Sequence, residues 1–215
     1  MQREINGKTI DIEPNCRPHI LKRIAADGFD ITTVFIVFMA LTYLLVNTPL
    51  ANTYNEHYAR YKAIEQQITE QYHGDSQAIS AALSADEEYL DEVLAANLHG
   101  YVLKAYAALA AEALFLLIIP LANRRRSTLG RMMTGTMLFD ERRQAKAAWH
   151  QALSRFLFAY LFDSLALYLL TGLLTFLLVV VLRLIQMLLN RKYKTIVDYM
   201  TGTMIIEQAS YNGIN

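Results

Sequence analysis

The chain has 215 residues, of which 54% are hydrophobic, and its 20 basic and 20 acidic residues give a formal net charge of zero. That length suits one or two soluble domains, but the apolar residues are bunched rather than spread at a half-buried period, which favours a multi-spanning membrane protein. Cys16 is the only cysteine, which excludes an intrachain disulfide.

The N-terminal part of the chain predicts a cytoplasmic segment followed by a membrane helix. Residues 1–22 are polar and charged and lack a signal-peptide pattern. The first apolar stretch covers residues 29–46, so we expect transmembrane helix 1 at 23–50, acting as an uncleaved anchor. The basic residues before it indicate that the N-terminus is cytoplasmic.

Residues 51–100 predict an external helical hairpin inserted between helices 1 and 2. Between residues 47 and 100 there are nine acidic and only two basic residues, which favours the external side. The hairpin breaks at residues 73–76, and Ser84 lies three residues before Glu87 as a capping box for the second arm. We expect a tyrosine stripe to pack against a leucine stripe; the alternative is a surface that binds a protein partner. The stripes are Tyr54, Tyr58, Tyr61, Ile64, Ile68 and Tyr72, and Leu90, Val93, Leu94 and Leu98.

Transmembrane helix 2 is predicted at 101–122, followed by a basic cytoplasmic loop at 123–154. This loop is short and β-rich around two glycines, with a helical stretch at 144–155. Its basic run at 124–126 fits contact with lipid headgroups, because the segment adjoins the bilayer. Aromatic residues do not interleave with the basic ones, so we expect no nucleic-acid binding.

Residues 155–190 predict a transmembrane hairpin of helices 3 and 4, with apolar stretches at 156–170 and 173–189. A single helix over 156–189 would be about 50 Å long, against a hydrocarbon core of about 30 Å. Thr171 and Gly172 provide the break. The basic residues after 189 place the C-terminal segment, 191–215, in the cytoplasm. The alternative is three helices, the last one long and tilted, with the C-terminus outside.

Four ionisable residues lie inside or at the edge of the apolar stretches: Asp30, Glu112, Asp163 and Arg183. At 1.5 Å per residue, three of them fall about 12–16 Å below the outer boundary, near the midplane, and Asp30 lies nearer the inner face. Two acids and one base at one depth predict a site for a cation or proton. The alternative is a structural ion pair between Asp163 and Arg183.

Three motifs resemble the RDD family of bacterial membrane proteins, which is named for an arginine at the start of the first helix and two aspartates. Arg23 and Asp30 match that helix, and Asp198-Tyr-Met-Thr-Gly-Thr resembles the closing motif. The loop Thr128-Leu-Gly-Arg-Met-Met-Thr-Gly resembles Thr-Leu-Gly-Lys-x-x-x-Gly. It contributes Thr128, Gly130, Arg131 in the lysine position and Gly135, while Arg155 matches a further arginine at the start of a helix.

The resemblance implies a multi-pass protein of the bacterial cytoplasmic membrane, and transport or ion exchange is the usual suggestion for this family. We expect Arg23, Asp30 and Asp198 to form a polar network that tethers the C-terminal segment. No enzyme motif, metal spacing or cofactor fingerprint is present. The expected partners are the lipid bilayer, a small ion or proton and a homo-oligomer. The competing hypothesis is a non-transporting accessory protein that binds a membrane or exported protein through its external hairpin.

Overall fold

The computed structural model forms two compact units. The motif unit comprises Met1–Val37 and Leu109–Asn215, and the insertion unit comprises Phe38–Ala108. The structure describes residues 2–5, 8–11, 18–123, 126–143, 145–161 and 194–208, with single positions at 164, 177, 178, 180, 181, 184, 185, 188 and 189. The break predicted at 171–172 and most of the predicted hairpin of helices 3 and 4 therefore lie outside the described residues.

Two helices in the described part of the chain are long and apolar enough to cross a membrane. Helix α1 is Ile20–Val46, and the second runs over Glu87–Ala122. Large apolar side chains of α1, including Ile36 and Leu44, are exposed. A contiguous exposed apolar surface of this kind is typical of a helix that faces lipid or another protein.

The helices of the insertion unit follow the predicted break but not the predicted cap. Helix α2 (Asn52–Gln71) ends before Gly74, whose φ is +85°, and α3 (Ser76–Ala85) begins after Asp75, so the predicted break at 73–76 is confirmed. Helix α4 (Glu87–Glu112) is capped by Asp86, which accepts a 2.8 Å hydrogen bond from the Tyr89 N–H. The capping box predicted at Ser84 is wrong because that residue lies within α3.

The tyrosines of α2 pack against a different face of α4 from the one predicted. The Tyr61 ring meets the Tyr89 ring edge to face at 6.1 Å, and Val93 and Ala96 lie on the same side. These α4 residues are four and three positions apart and so form one helix face. Of the predicted stripe, only Val93 is on the packing side, whereas Leu90, Leu94 and Leu98 are exposed, at 46%, 69% and 60%.

Helix α4 continues through a π-helix, Ala113–Ile118, into α5 (Ile119–Ala122). The Ile119 N–H bonds to the Leu114 carbonyl, five residues back. Pro120 lacks an N–H, so it cannot restore the regular α-helical bond to residue 116. The helix is therefore irregular just after Glu112.

A three-stranded antiparallel sheet with order β4-β3-β5 forms the centre of the motif unit. Strand β3 (Thr136–Asp140) pairs with β4 (Ala145–Lys146) and with β5 (Thr203–Glu207). Residues 129–133, expected to be β-rich, form the short helix α6 (Leu129–Met133). Helix α7 (Trp149–Phe158) follows β4, and α8 (Ile196–Thr201) precedes β5. A separate hairpin pairs β1 (Gln2–Ile5) with β2 (Lys8–Asp11).

Candidate functional site

The motif unit contains an internal repeat that the sequence reading missed. Residues 128–140 and 195–207 agree at six of thirteen positions, including Met-Thr-Gly-Thr-Met in both. Each copy folds as a threonine N-cap, a short helix, a left-handed glycine and a strand. The two glycines, Gly135 and Gly202, have φ values of +67° and +63°.

The two copies are related by approximate two-fold symmetry. Thr136 pairs with Glu207, and the equivalent Thr203 pairs with Asp140. The carbonyls of the two glycines accept equivalent backbone hydrogen bonds, from Gln208 at 2.9 Å and from Glu141 at 3.2 Å. Only a two-fold arrangement exchanges the copies in this way, because antiparallel pairing reverses the direction of the chain.

The second copy carries a buried carboxylate held by two arginines. Arg23 Nη2 donates to Asp198 Oδ2 at 2.9 Å, and Arg155 donates to Asp198 Oδ1 and to Thr203 at 2.8 Å. Thr195 adds backbone and hydroxyl donors at 2.9 and 3.0 Å. Burial alone would raise the pKa of Asp198, but Arg155 and Arg23 outweigh it and hold that pKa far below its ordinary value.

The first copy has the opposite charge at the equivalent position. Arg131 follows Thr128 by three residues, as Asp198 follows Thr195, and only 8% of its surface is exposed. Among the described residues, the carboxylate oxygen nearest to its guanidinium is Asp27 Oδ1, 3.7 Å from Nη2. Burial lowers the pKa of the Arg131 guanidinium, and the positive charge of Arg155 acts in the same direction.

Asp30 fixes the start of helix α6. Its Oδ2 accepts a hydrogen bond from the Thr128 hydroxyl, and its Oδ1 accepts one from the Gly130 N–H at 2.8 Å. A side chain on Gly130 would collide with the carbonyl of Ala26 in helix α1. Glycine is therefore required where α1 and α6 approach each other closely.

Residues of both copies, Arg131 of the first and Val197 of the second among them, line one cavity of about 200 Å³. Its other walls are apolar and include Leu116 and Phe156. A cavity that combines a charged wall with an apolar wall is suited to a small ion or to the head of an amphipathic molecule. The charged residues that line it are Arg23, Asp27, Asp30, Arg126, Arg131 and Arg155.

Glu112 lies elsewhere in the motif unit, at the junction of α4 and the π-helix. It is only 4% exposed and accepts a hydrogen bond from the Ser164 hydroxyl. Ser164 has π-helical geometry, as do residues 159–161. Asp163 and Arg183, the expected partners of Glu112, lie outside the described residues, so their grouping stays a prediction.

The structure brings together most of the motif residues that the sequence singled out. Arg23 pairs with Asp198 as expected, but Arg155, rather than the predicted Asp30, completes the network around this carboxylate. Asp30 is bonded to the loop motif at Thr128 and Gly130. Ser164, Asp27 and Thr195 were missed; for Thr195, the spacing Thr-x-x-Asp is a capping signal that would have identified it.

The site was also compared with metal-binding arrangements and with known proteins. In the described part of the chain, no group of three or more His, Cys, Asp or Glu side chains is arranged to hold a metal. Comparison with curated proteins and with solved structures gave no match.

The comparison with protein families gave one match, which covers most of the chain. The model of the RDD family aligns with residues 17–202, a range that includes the first two motifs, the first copy of the repeat, the closing motif up to Gly202 and the start of the second copy. The expectation from the motifs is thereby confirmed. With its apolar helices and buried charge network, the chain belongs to the RDD family of membrane proteins.

Proposed function

We propose that this protein is a non-enzymatic transporter or ion/proton-exchange protein, or a component of one, and that Glu112 is its exchange site. The observation that carries the proposal is the buried Glu112 carboxyl, bonded to Ser164 within an apolar helix. An acidic residue at membrane depth costs about 2.5–3.5 kcal/mol on insertion scales, and such residues commonly mark ion or proton pathways.

The helix geometry around Glu112 supports the same proposal. The π-helix Ala113–Ile118 begins at the next residue, and Ser164 also has π-helical geometry. π-helical segments are rare and are frequent at functional sites. In the proposed site, Asp163 and Arg183 complete the polar group and Asp30 lies on its inner side.

The proposed topology has four membrane helices in a bacterial cytoplasmic membrane, with both termini cytoplasmic. Loop 123–154 is then cytoplasmic and residues 51–100 are external, as the distribution of charge favours. Four helices make a thin wall for a pathway, so the proposal includes a homo-oligomer.

The test is cation-driven pH change in proteoliposomes that contain the purified protein. Glu112→Gln keeps the size of the side chain and removes its charge, so we expect it to lower the flux at least 10-fold while thermal stability is retained. Glu88→Gln is the matched control, because Glu88 is exposed on the same helix. Equal flux in wild type and Glu112→Gln would contradict an exchange role for this carboxyl.

The second candidate is a non-transporting accessory protein, and one observation favours it. Leu90, Leu94 and Leu98 are exposed in a line on α4 and are available to a protein partner. Replacing residues 51–100 with a short linker should then abolish function, whereas Glu112→Gln should be tolerated. A transporter should show the reverse pattern.

A further inference from the structure

The two copies of the repeat differ in how completely their buried charge is neutralised. Asp198 accepts hydrogen bonds from Arg23, Arg155 and Thr195. Arg131, at the equivalent position, makes no hydrogen bond through its side chain to any residue that the structure describes, and its Nε is buried. Buried polar groups are nearly always satisfied, so an exception of this kind calls for an unseen partner.

In the part of the chain that the structure describes, the carboxylates near Arg131 are not placed to supply that partner. Both oxygens of Asp30 already accept hydrogen bonds, from Thr128 and from Gly130. Asp27 is 30% exposed and its oxygen is 3.7 Å from Arg131 Nη2, beyond hydrogen-bonding distance. A buried guanidinium without such bonds carries a large desolvation cost.

The charges around the cavity favour an anion as the missing partner. Among the residues that the structure describes, four arginines line the cavity, whereas the carboxylates of Asp27, Asp30 and the neighbouring Asp198 supply three negative charges. These described residues leave one positive charge in excess. Arg126 lies at the same wall, where one of its amino groups donates to the Leu121 carbonyl at 2.6 Å.

We propose that the cavity binds a phosphate-bearing anion, with Arg131 as its principal ligand and Arg126 as a second. Arginine forks match phosphate oxygens in bidentate geometry, and such charge-assisted bonds are stronger than neutral ones. A phosphodiester carries the single negative charge that balances the excess. The molecule that carries this group is an acidic phospholipid or a soluble phosphate ester. The apolar wall of Leu116 and Phe156 accommodates its carbon chain.

The proposal is independent of ion exchange at Glu112, which does not line this cavity. It is tested with the full-length protein in dodecyl maltoside by following the thermal unfolding midpoint. One arm adds inorganic phosphate, a second adds phosphatidylglycerol, and a third adds phosphatidylcholine at the same concentration. Arg131→Met and Arg131→Lys are compared with Arg143→Met, whose parent side chain is 70% exposed.

We expect phosphate or phosphatidylglycerol to raise the midpoint of the wild type and of Arg143→Met, with phosphatidylcholine giving no comparable rise. Arg131→Met should weaken the apparent affinity about 10- to 100-fold, the loss expected for one charge-assisted bidentate contact. A response to phosphate identifies the phosphate group as sufficient, and a response to phosphatidylglycerol alone identifies a lipid ligand.

The proposal is overturned if neither anion raises the wild-type midpoint, or if Arg131→Met responds as the wild type does. Should Arg131→Met fail to fold, Arg131→Lys decides, because it keeps the charge and loses the planar fork. An unchanged affinity in Arg131→Lys would then overturn the proposal. A loss of affinity in Arg143→Met as large as that in the Arg131 variant would also overturn it, since binding would then depend on surface charge.

Discussion

Asp198 holds together three segments that are far apart in the chain. Its partners Arg23 and Arg155 are 175 and 43 residues away in sequence, and Asp198 itself is fully buried. Both arginines lose their common counter-ion if the carboxylate is removed. Breaking a buried pair of this kind is far more costly than the pair is stabilising, because the remaining charge stays buried.

We therefore predict that Asp198→Asn destabilises the protein by about 3–5 kcal/mol at neutral pH, as for other broken buried ion pairs. Chemical unfolding in detergent measures the change. Asp91→Asn, which removes an exposed carboxylate, should change stability by less than about 0.5 kcal/mol. A small effect of Asp198→Asn would mean that the arginines find other partners.

The ion pairs of Asp198 also make the stability of the protein depend on pH, with a sign that follows from the lowered pKa of Asp198. Stability from the ionised carboxylate is fully present above the unfolded pKa of about 3.9 and is lost as the pH falls toward the folded value. The difference between wild type and Asp198→Asn should therefore narrow below about pH 4. A constant difference down to pH 2 would contradict this account.

Gly130 and Gly28 provide a matched pair of glycines. We predict that Gly130→Ala destabilises the protein by about 1–3 kcal/mol, because its Cβ would collide with the Ala26 backbone. Gly28→Ala should be neutral or stabilising by up to about 1 kcal/mol, since the site is open and helical. Thermal unfolding of both variants checks this; similar losses would show that α1 and α6 do not approach so closely.

At the scale of elements, the sequence pattern predicts the wrong face of α4 as the one that packs against α2. Leucines and tyrosines both recur at helical spacing, so the pattern predicts amphipathic helices correctly but does not say which apolar face meets which neighbour. Tyr89, Val93 and Ala96 pack inward, about one residue around the helix from the leucines. Aromatic packing between Tyr61 and Tyr89 explains why this face of α4 points inward, since the orientation buries large rings against small side chains.

We predict that Leu94→Ser leaves stability within about 0.5 kcal/mol of the wild type, as for an exposed side chain. Ala96→Leu should cost about 1–3 kcal/mol, because Ala96 is buried and the added atoms overpack the interface. Chemical unfolding measures both. A larger loss of stability in Leu94→Ser than in Ala96→Leu would indicate that the leucine face is the one that packs.

The helix–glycine–strand repeat is also an element-scale result. The structure of each copy follows from its own local sequence: a threonine caps a short helix, and a glycine that adopts positive φ ends it. The local sequence does not predict that β3 pairs with β5, because the strands are more than sixty residues apart and both are short. The C-terminal segment, which was expected only to be tethered by the polar network, also supplies β5 to the sheet.

At the scale of the whole molecule, the proposed four-helix topology makes a prediction for Cys16. In intact spheroplasts, a membrane-impermeant maleimide should label Cys16 only after permeabilisation. In a Cys16→Ser background, Asn212→Cys should behave in the same way, while Asp75→Cys should be labelled without permeabilisation. Labelling of Asn212→Cys in intact spheroplasts would support three helices and an external C-terminus instead.

The sequence by itself determined the family, the membrane class and the residues of the charge network. These follow from composition, apolar runs and short motifs, which are local properties. The tertiary structure alone decided that Arg23 and Arg155 share Asp198, that Asp30 caps α6, and that the two copies of the repeat pair across a two-fold axis. Buried charges choose partners by distance and geometry in the folded state, which spacing along the chain does not fix.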